Sequence, residues 1–265
     1  MLCKGGMILS SRCLLRRQGA SRWKHRMTDF TKSIAKKTPA RSERRKNVER
    51  SATTRKEILE ATVRCLNDLG YGAVTNLKVA DEAGVSRGAM MHHFPTRQAL
   101  IVATVEYANG KLTEFRNTEV EKLGPGLPRY RAIIDLSLVT QRMPEGMACN
   151  EIRIGSRSDP EIRTAVTPIM GQISDEYGRL VVRLARAAGL TPNRELQGLT
   201  SIAAMSTRAL SINTFTYPRG NIEENVLWMI RNIREDIIAR QLGEKFAERP
   251  APLPETRSSS KPSNP

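Results

Sequence analysis

Residues 84–94 read GVSRGAMMHHF, with two adjacent histidines ahead of a phenylalanine. Metal ligation on one helix wants histidines three or four residues apart, because adjacent side chains diverge by about 100°. His92 and His93 are adjacent, and no Cys, Asp or Glu lies between residues 83 and 105. No metal ligand is expected here. His25 is the one other imidazole, and the chain shows no GxSxG, HExxH, P-loop or GxGxxG motif. No catalytic residue, no enzyme activity and no cofactor are therefore expected.

The stretch instead carries the punctuation of two short helices. Thr75 stands where a side-chain oxygen caps a helix, and Leu77, Val79, Ala80 and Ala83 give that helix an apolar face before Gly84 stops it. Ser86 caps a second helix that Pro95 closes. Two short helices joined at Gly84 and Val85 form a helix-turn-helix. Small residues at the start of its second helix, Gly88 and Ala89, let a helix end approach base edges closely. Arg87 beside them can reach guanine O6 and N7, and Ala89 can meet a thymine methyl.

Upstream, TTRKEILEATVRCLNDLG predicts a helix over 54–69. Thr54 and Glu57 form a capping box, Ile58, Leu59, Val63, Leu66 and Leu69 share one face, and Gly70 follows at the C-terminal end. Downstream, Thr96 starts a long helix that persists to the GPG at 124–126. The run from TRKEIL through VADEAGVSRGAMMHHFPTRQAL resembles the N-terminal domain of the TetR family of transcriptional regulators over about 45 residues. Its AGVSRGAMMHHFPTRQAL is similar to the family's AGVS-x-G-x-L-Y-x-HF-x-[ST]-K-x-x-L pattern. The resemblance implies that Thr75 and Arg97 touch phosphates, that Arg87, Gly88 and Ala89 face bases, and that His92 and His93 approach the backbone. Met91 departs from it: a tyrosine is usual there, and a thioether offers apolar contact alone. Leu77 also stands where a polar residue is frequent. Met90 and Phe94 read as core.

Beyond residue 126 the chain stays helical, over 128–143, over 147–157, and from Asp159, which caps while Pro160 takes the first helical position. Pro168 is expected to kink that helix, which runs on to Gly189. Leu196, Leu199, Ala203, Ser206 and Leu210, then Val226, Ile230, Ile233 and Ile237, step by three and four along two last helices. Such stripes pair with each other or with their copies in a second subunit, as a four-helix bundle. No strand pattern and no repeat occurs. The expected fold is all-α: a basic disordered arm (1–50), a three-helix DNA-binding domain (51–98, motif about 75–94), a ligand-binding and dimerisation domain (99–245) and a disordered tail (246–265).

Charge is concentrated in the arm. Residues 1–50 hold 15 Lys and Arg against Asp29, Glu43 and Glu49, a net of +12 out of the chain's +16. A solvated arm, an arm that adds nonspecific phosphate affinity, a transit peptide and a start at Met27 all fit that composition. Residues 51–98 are close to neutral at +1, so specific contacts and dimer valency have to carry much of the affinity. The four cysteines form no CxxC pair, which suits a reducing cytosol, with Cys65 as a core residue. No run of about 18 apolar residues occurs, so no membrane span is expected.

These readings converge on a cytoplasmic, homodimeric, sequence-specific DNA-binding regulator. The expectation is a repressor released from a palindromic operator on double-stranded DNA by an unidentified small-molecule inducer. An activator or architectural DNA-binding protein, or a helical small-molecule carrier or enzyme that retains the module, are the alternatives. The ligand-binding residues are unknown from sequence. Met143, Met147, Met170, Tyr130 and Trp228 are possible pocket lining, and Arg153 and Arg157, one turn apart, either greet an acidic ligand or form a solvated face.

Overall fold

The computed structural model describes residues 41–213 and 221–243. The arm's first 40 residues and the tail from 246 lie outside the described residues. The described residues fall into two units, one up to Arg55 and one from Lys56.

In the first unit the described residues are helical, as the start of α1 (Arg41–Leu69). This corrects two expectations: residues 41–50 of the supposed disordered arm are helix, and the capping box at Thr54 is not a helix start. The reason lies in composition. From Arg41 to Thr53 there is no Gly or Pro, and Arg, Lys and Glu propagate helix well. The Thr53 hydroxyl donates to the Glu49 carbonyl at 3.0 Å, a bond within a helix interior. Residues 45–53 are exposed, so this segment has no apolar stripe by which periodicity would announce it.

In the second unit α1 buries Ile58, Leu59, Val63 and Leu66 and ends before Gly70, whose φ of 71° favours a residue without Cβ. A single 3-10 turn (Tyr71–Ala73) leads to α2 (Asn76–Ala83), α3 (Arg87–His93) and α4 (Arg97–Glu121). The caps fall where the sequence places them. Thr75 accepts from the Lys78 N–H, Ser86 from the Ala89 N–H, and Thr96 from the Ala99 N–H. Gly84 closes α2 in the left-handed conformation, φ 65°. Then follow α5 (Leu127–Arg142), α6 (Pro144–Gly155), α7 (Pro160–Ala187), α8 (Arg194–Asn213) and α9 (Ile222–Leu242). Asp159 caps α7 by accepting from the Ile162 N–H at 3.1 Å. The helix continues through Pro168. All nine elements of four or more residues are helices, and no strand occurs among the described residues.

Two apolar clusters hold these helices. The first joins α1, α2, α3 and the first half of α4, with Met90 and Phe94 buried as expected, and extends to Ala148 and Ile152 of α6 and Ile162 and Val166 of α7. The second joins the end of α4 to α5, the latter half of α7, α8 and α9. Cys65 is buried in the first, and burial pushes its thiol pKa up. Helices α5 and α9 are further linked by ion pairs: Arg131 reaches Glu235 at 2.7 Å, and Arg142 pairs with Glu223 and Arg231 with Asp135.

Candidate nucleic-acid interface

The sequence of α3 sorts its residues onto two faces. Met90 and Phe94 point into the core, 1% and 2% exposed, while Arg87, Gly88, Met91 and His92 are exposed and Ala89 and His93 are half-buried. With a 3.6-residue turn, Arg87 lies above Met91 and Gly88 above His92. The outer face therefore presents a cation and a bare backbone at the N-terminal tip. A thioether and an imidazole follow one turn later. Nothing crowds the tip: a Cβ on Gly88 would meet only the Ser86 hydroxyl at 3.8 Å. Arg87 makes no hydrogen bond or ion pair among the described residues.

His92 and His93 stack edge to face, with ring centroids 5.5 Å apart, and His93 also lies 6.5 Å from the Phe94 ring. Both stand in the last turn of α3, where the carbonyl end of a helix favours positive charge. Among the described residues no group of three His, Cys, Asp or Glu side chains is placed to hold a metal ion.

Thr75 is exposed at the start of α2. Its oxygen accepts from the Lys78 N–H, which leaves the hydroxyl hydrogen free for another acceptor. Lys78 itself is exposed three residues on, on the same side of α2 as its cap. The sequence reading passed over it, although the i+3 spacing from a cap residue marks this position.

Arg97, for which the resemblance implies a phosphate contact, is half-buried. Its guanidinium is used inside the protein: Nη1 donates to the Tyr71 hydroxyl at 2.8 Å and to Asp159 Oδ2 at 3.1 Å, Nη2 to the Tyr71 carbonyl at 3.1 Å, and Nε to the Val74 carbonyl at 3.2 Å. The group also lies over the Tyr71 ring, 4.3 Å from its centroid. Tyr71 donates in turn to Asp159 at 2.7 Å. The hydrogen bond from Tyr71, with those from the Ile162 N–H and Arg97, holds the Asp159 carboxyl below the usual carboxylate range. Arg97 is thus a brace between the 3-10 turn, the start of α4 and the cap of α7. These partners lie 26 and 62 residues away in sequence.

The sequence family described as "Bacterial regulatory proteins, tetR family" matches residues 58–104, the span of this helix-turn-helix and its supports. The HTH-type transcriptional regulator CymR of Pseudomonas putida is 26% identical over 206 residues, 78% of this chain and 88% of CymR. Residues 58–104 thus carry the DNA-binding domain of the TetR family of transcriptional regulators. The regulator BetI of Rhizobium meliloti is 32% identical over 95 residues, 36% of this chain and 47% of BetI. Among solved structures, a protein of Saccharomonospora viridis in complex with choline shares the fold, with a TM-score of 0.55 and 19% identity over 69% of this chain and 96% of that one. The chain with this domain is accordingly a DNA-binding regulator, and no helix among its described residues is long and apolar enough to cross a membrane.

The helical body contains a cavity of about 210 Å³ between α4 and α7, and an open groove of about 740 Å³ along α7 and α8. The pocket residues expected from sequence are not among those lining either. Tyr130 lines a void of about 10 Å³ with Tyr177 and Leu199, Trp228 is partly exposed, and the Met170 sulfur accepts from Arg153 at 3.2 Å. Methionine fills gaps in cores more often than it marks a pocket. What marks the α4–α7 cavity is instead its arginines, Arg116, Arg179 and Arg183.

Proposed function

We propose that this chain is a homodimeric, non-catalytic repressor of the cytoplasm that holds a palindromic operator through two copies of α3 and lets go when a small molecule enters the helical body. The observation that carries the reading is the outward tip of α3. Arg87 is free and exposed there, beside a glycine and an alanine that keep the backbone slim enough for the major groove. In this reading residues 51–98 form the head, residues 99–245 the body, and Arg87, Gly88 and Ala89 face base edges. Thr75, Lys78, His92 and His93 approach phosphates, and Met91 gives apolar contact. A fold relative that holds choline supports a small-molecule trigger.

One head reads few base pairs, so specificity needs a two-fold partner. Of the stripes expected to pair either with each other or with their copies in a second subunit, Leu196, Leu199, Ala203, Ile230 and Ile237 belong to the chain's own core, while Ile233 is exposed. A different stripe supports the dimer. Ile202 and Met205 of α8, 50% and 60% exposed, and Ile222, Met229 and Ile233 of α9 recur at helical spacing on the outside. Replacing Met205 and Ile233 together with glutamate is expected to give a folded monomer by sedimentation. Its operator affinity is expected to fall about a hundredfold, because the second head no longer adds its effective concentration. A dimer with unchanged affinity would reject this face.

Selection of bound duplexes from a random pool tests the whole reading. The expected winners are palindromes whose half-sites repeat at about one helical turn. Winners without two-fold symmetry, or a pool left without sequence preference, would overturn it.

A further inference from the structure

Arg116 lies on α4 and lines the cavity of about 210 Å³ between α4 and α7. Its Nη2 donates to the Thr113 hydroxyl at 3.1 Å, and its guanidinium carbon sits 5.3 Å from the centroid of the Tyr177 ring. Its Nε is buried and has no hydrogen-bond acceptor. No carboxylate pairs with it among the described residues, whereas seven other arginines form ion pairs. Burial pushes its pKa down, the direction expected of a cation withdrawn from water without a counter-charge. A buried donor with nothing to donate to is costly, and a buried charge is retained where something pairs with it.

The cavity supplies the rest of a small site. Asn109 and Asn117 offer amides, and Ile173, Leu180 and the Tyr177 ring offer apolar surface. Arg179 and Arg183 are exposed among its lining residues, against the single carboxylate of Glu176. We propose that this cavity receives a small carboxylate-bearing ligand whose anionic head pairs with the unpartnered Nε and neighbouring N–H groups of Arg116. Guanidinium offers a planar fork that matches a carboxylate. A phosphate dianion would call for more than the single interior cation this cavity provides, and the volume lies below that of drug-sized sites, about 300–1,000 Å³. The inference rests on the reading of the chain as a ligand-released repressor, and it identifies the class of ligand. Because α4 begins directly after α3 and Pro95, an anion drawn between α4 and α7 acts on the helix that carries the DNA-reading head.

The experiment uses the full chain with benzoate and hexanoate as probes and benzamide and hexanamide as their uncharged counterparts, read by thermal melting and calorimetry at millimolar concentrations. Both carboxylates are expected to raise the melting temperature in proportion to concentration, and the amides are not. Arg116→Gln, which keeps a donor for Thr113, is expected to melt as a folded protein and to bind the carboxylates at least about tenfold more weakly. Arg116→Lys, which keeps the charge without the fork, is expected to fall between. Absence of any carboxylate-induced shift, equal shifts with the amides, or an undiminished shift in Arg116→Gln overturns the proposal. Operator binding measured alongside separates the two readings. Carboxylates that bind through Arg116 but leave the DNA complex intact sink ligand release and keep the site, whereas release by an uncharged compound with no carboxylate binding does the reverse.

Discussion

Alanine in place of Arg87 is expected to remove specific operator binding while the protein remains folded and its oligomeric state is unchanged. The side chain makes no hydrogen bond or ion pair among the described residues that its loss would break, and it is exposed at the tip of α3. A good bidentate contact to guanine is worth about 1–3 kcal/mol. A dimer makes the contact twice, so the loss should be about 2–6 kcal/mol, or roughly 30-fold to 10⁴-fold in affinity. Nonspecific binding is expected to change far less, because the remaining phosphate contacts do not depend on sequence. Titration of operator and scrambled duplexes at one salt concentration checks both halves. If the variant still prefers the operator by the wild-type margin, α3 is not the reading helix.

That prediction rests on features legible in the sequence because they are local. Thr75, Ser86, Thr96 and Asp159 each cap the helix they were expected to cap, since a cap is settled by a side chain and an N–H three residues on. Met90 and Phe94 are inward because a four-residue spacing repeats a helical face. Three things were not legible, each for its own physical reason. The early start of α1 escaped because a charged helix without an apolar stripe carries no periodic signal. The inner stripes of α8 and α9 were legible as apolar, but periodicity does not say whether a face is covered by the same chain or by a copy. Here the same chain covers them, and the outer stripe through Ile202 and Met205 is the one left bare. The role of Arg97 escaped because its partners, Tyr71 and Asp159, are distant in sequence.

The same brace makes Gly155 the position where the smallest substitution is expected to have a large effect on the fold. A Cβ at residue 155 would lie 2.0 Å from Tyr71 Cδ1 and 2.1 Å from Cγ, so the ring has to move. It is not free to do so at little cost. Its hydroxyl is bonded to Asp159 and Arg97, the Arg97 guanidinium covers its face, and its backbone N–H donates to Glu151 at 3.1 Å. Gly155→Ala therefore either overpacks the end of α6 against Tyr71, at about 1–3 kcal/mol, or breaks charge-assisted hydrogen bonds worth about 1.5–3 kcal/mol each. The expected destabilisation is about 3 kcal/mol, which in a chain of this size lowers the melting temperature by roughly 6–12 °C. Removing the obstructing ring checks the cause. In a Tyr71→Ala background, adding Gly155→Ala is expected to cost less than about 0.5 kcal/mol, because the Cβ then has nothing to meet. Additive costs in the double variant would mean that the glycine is required for the backbone of α6 and not for the ring. The functional consequence follows from the position of Arg97 in the first turn of α4, the helix that leaves α3. A displaced Tyr71 loosens the seating of the reading helix, so operator affinity is expected to fall in Gly155→Ala even at temperatures where the protein is fully folded.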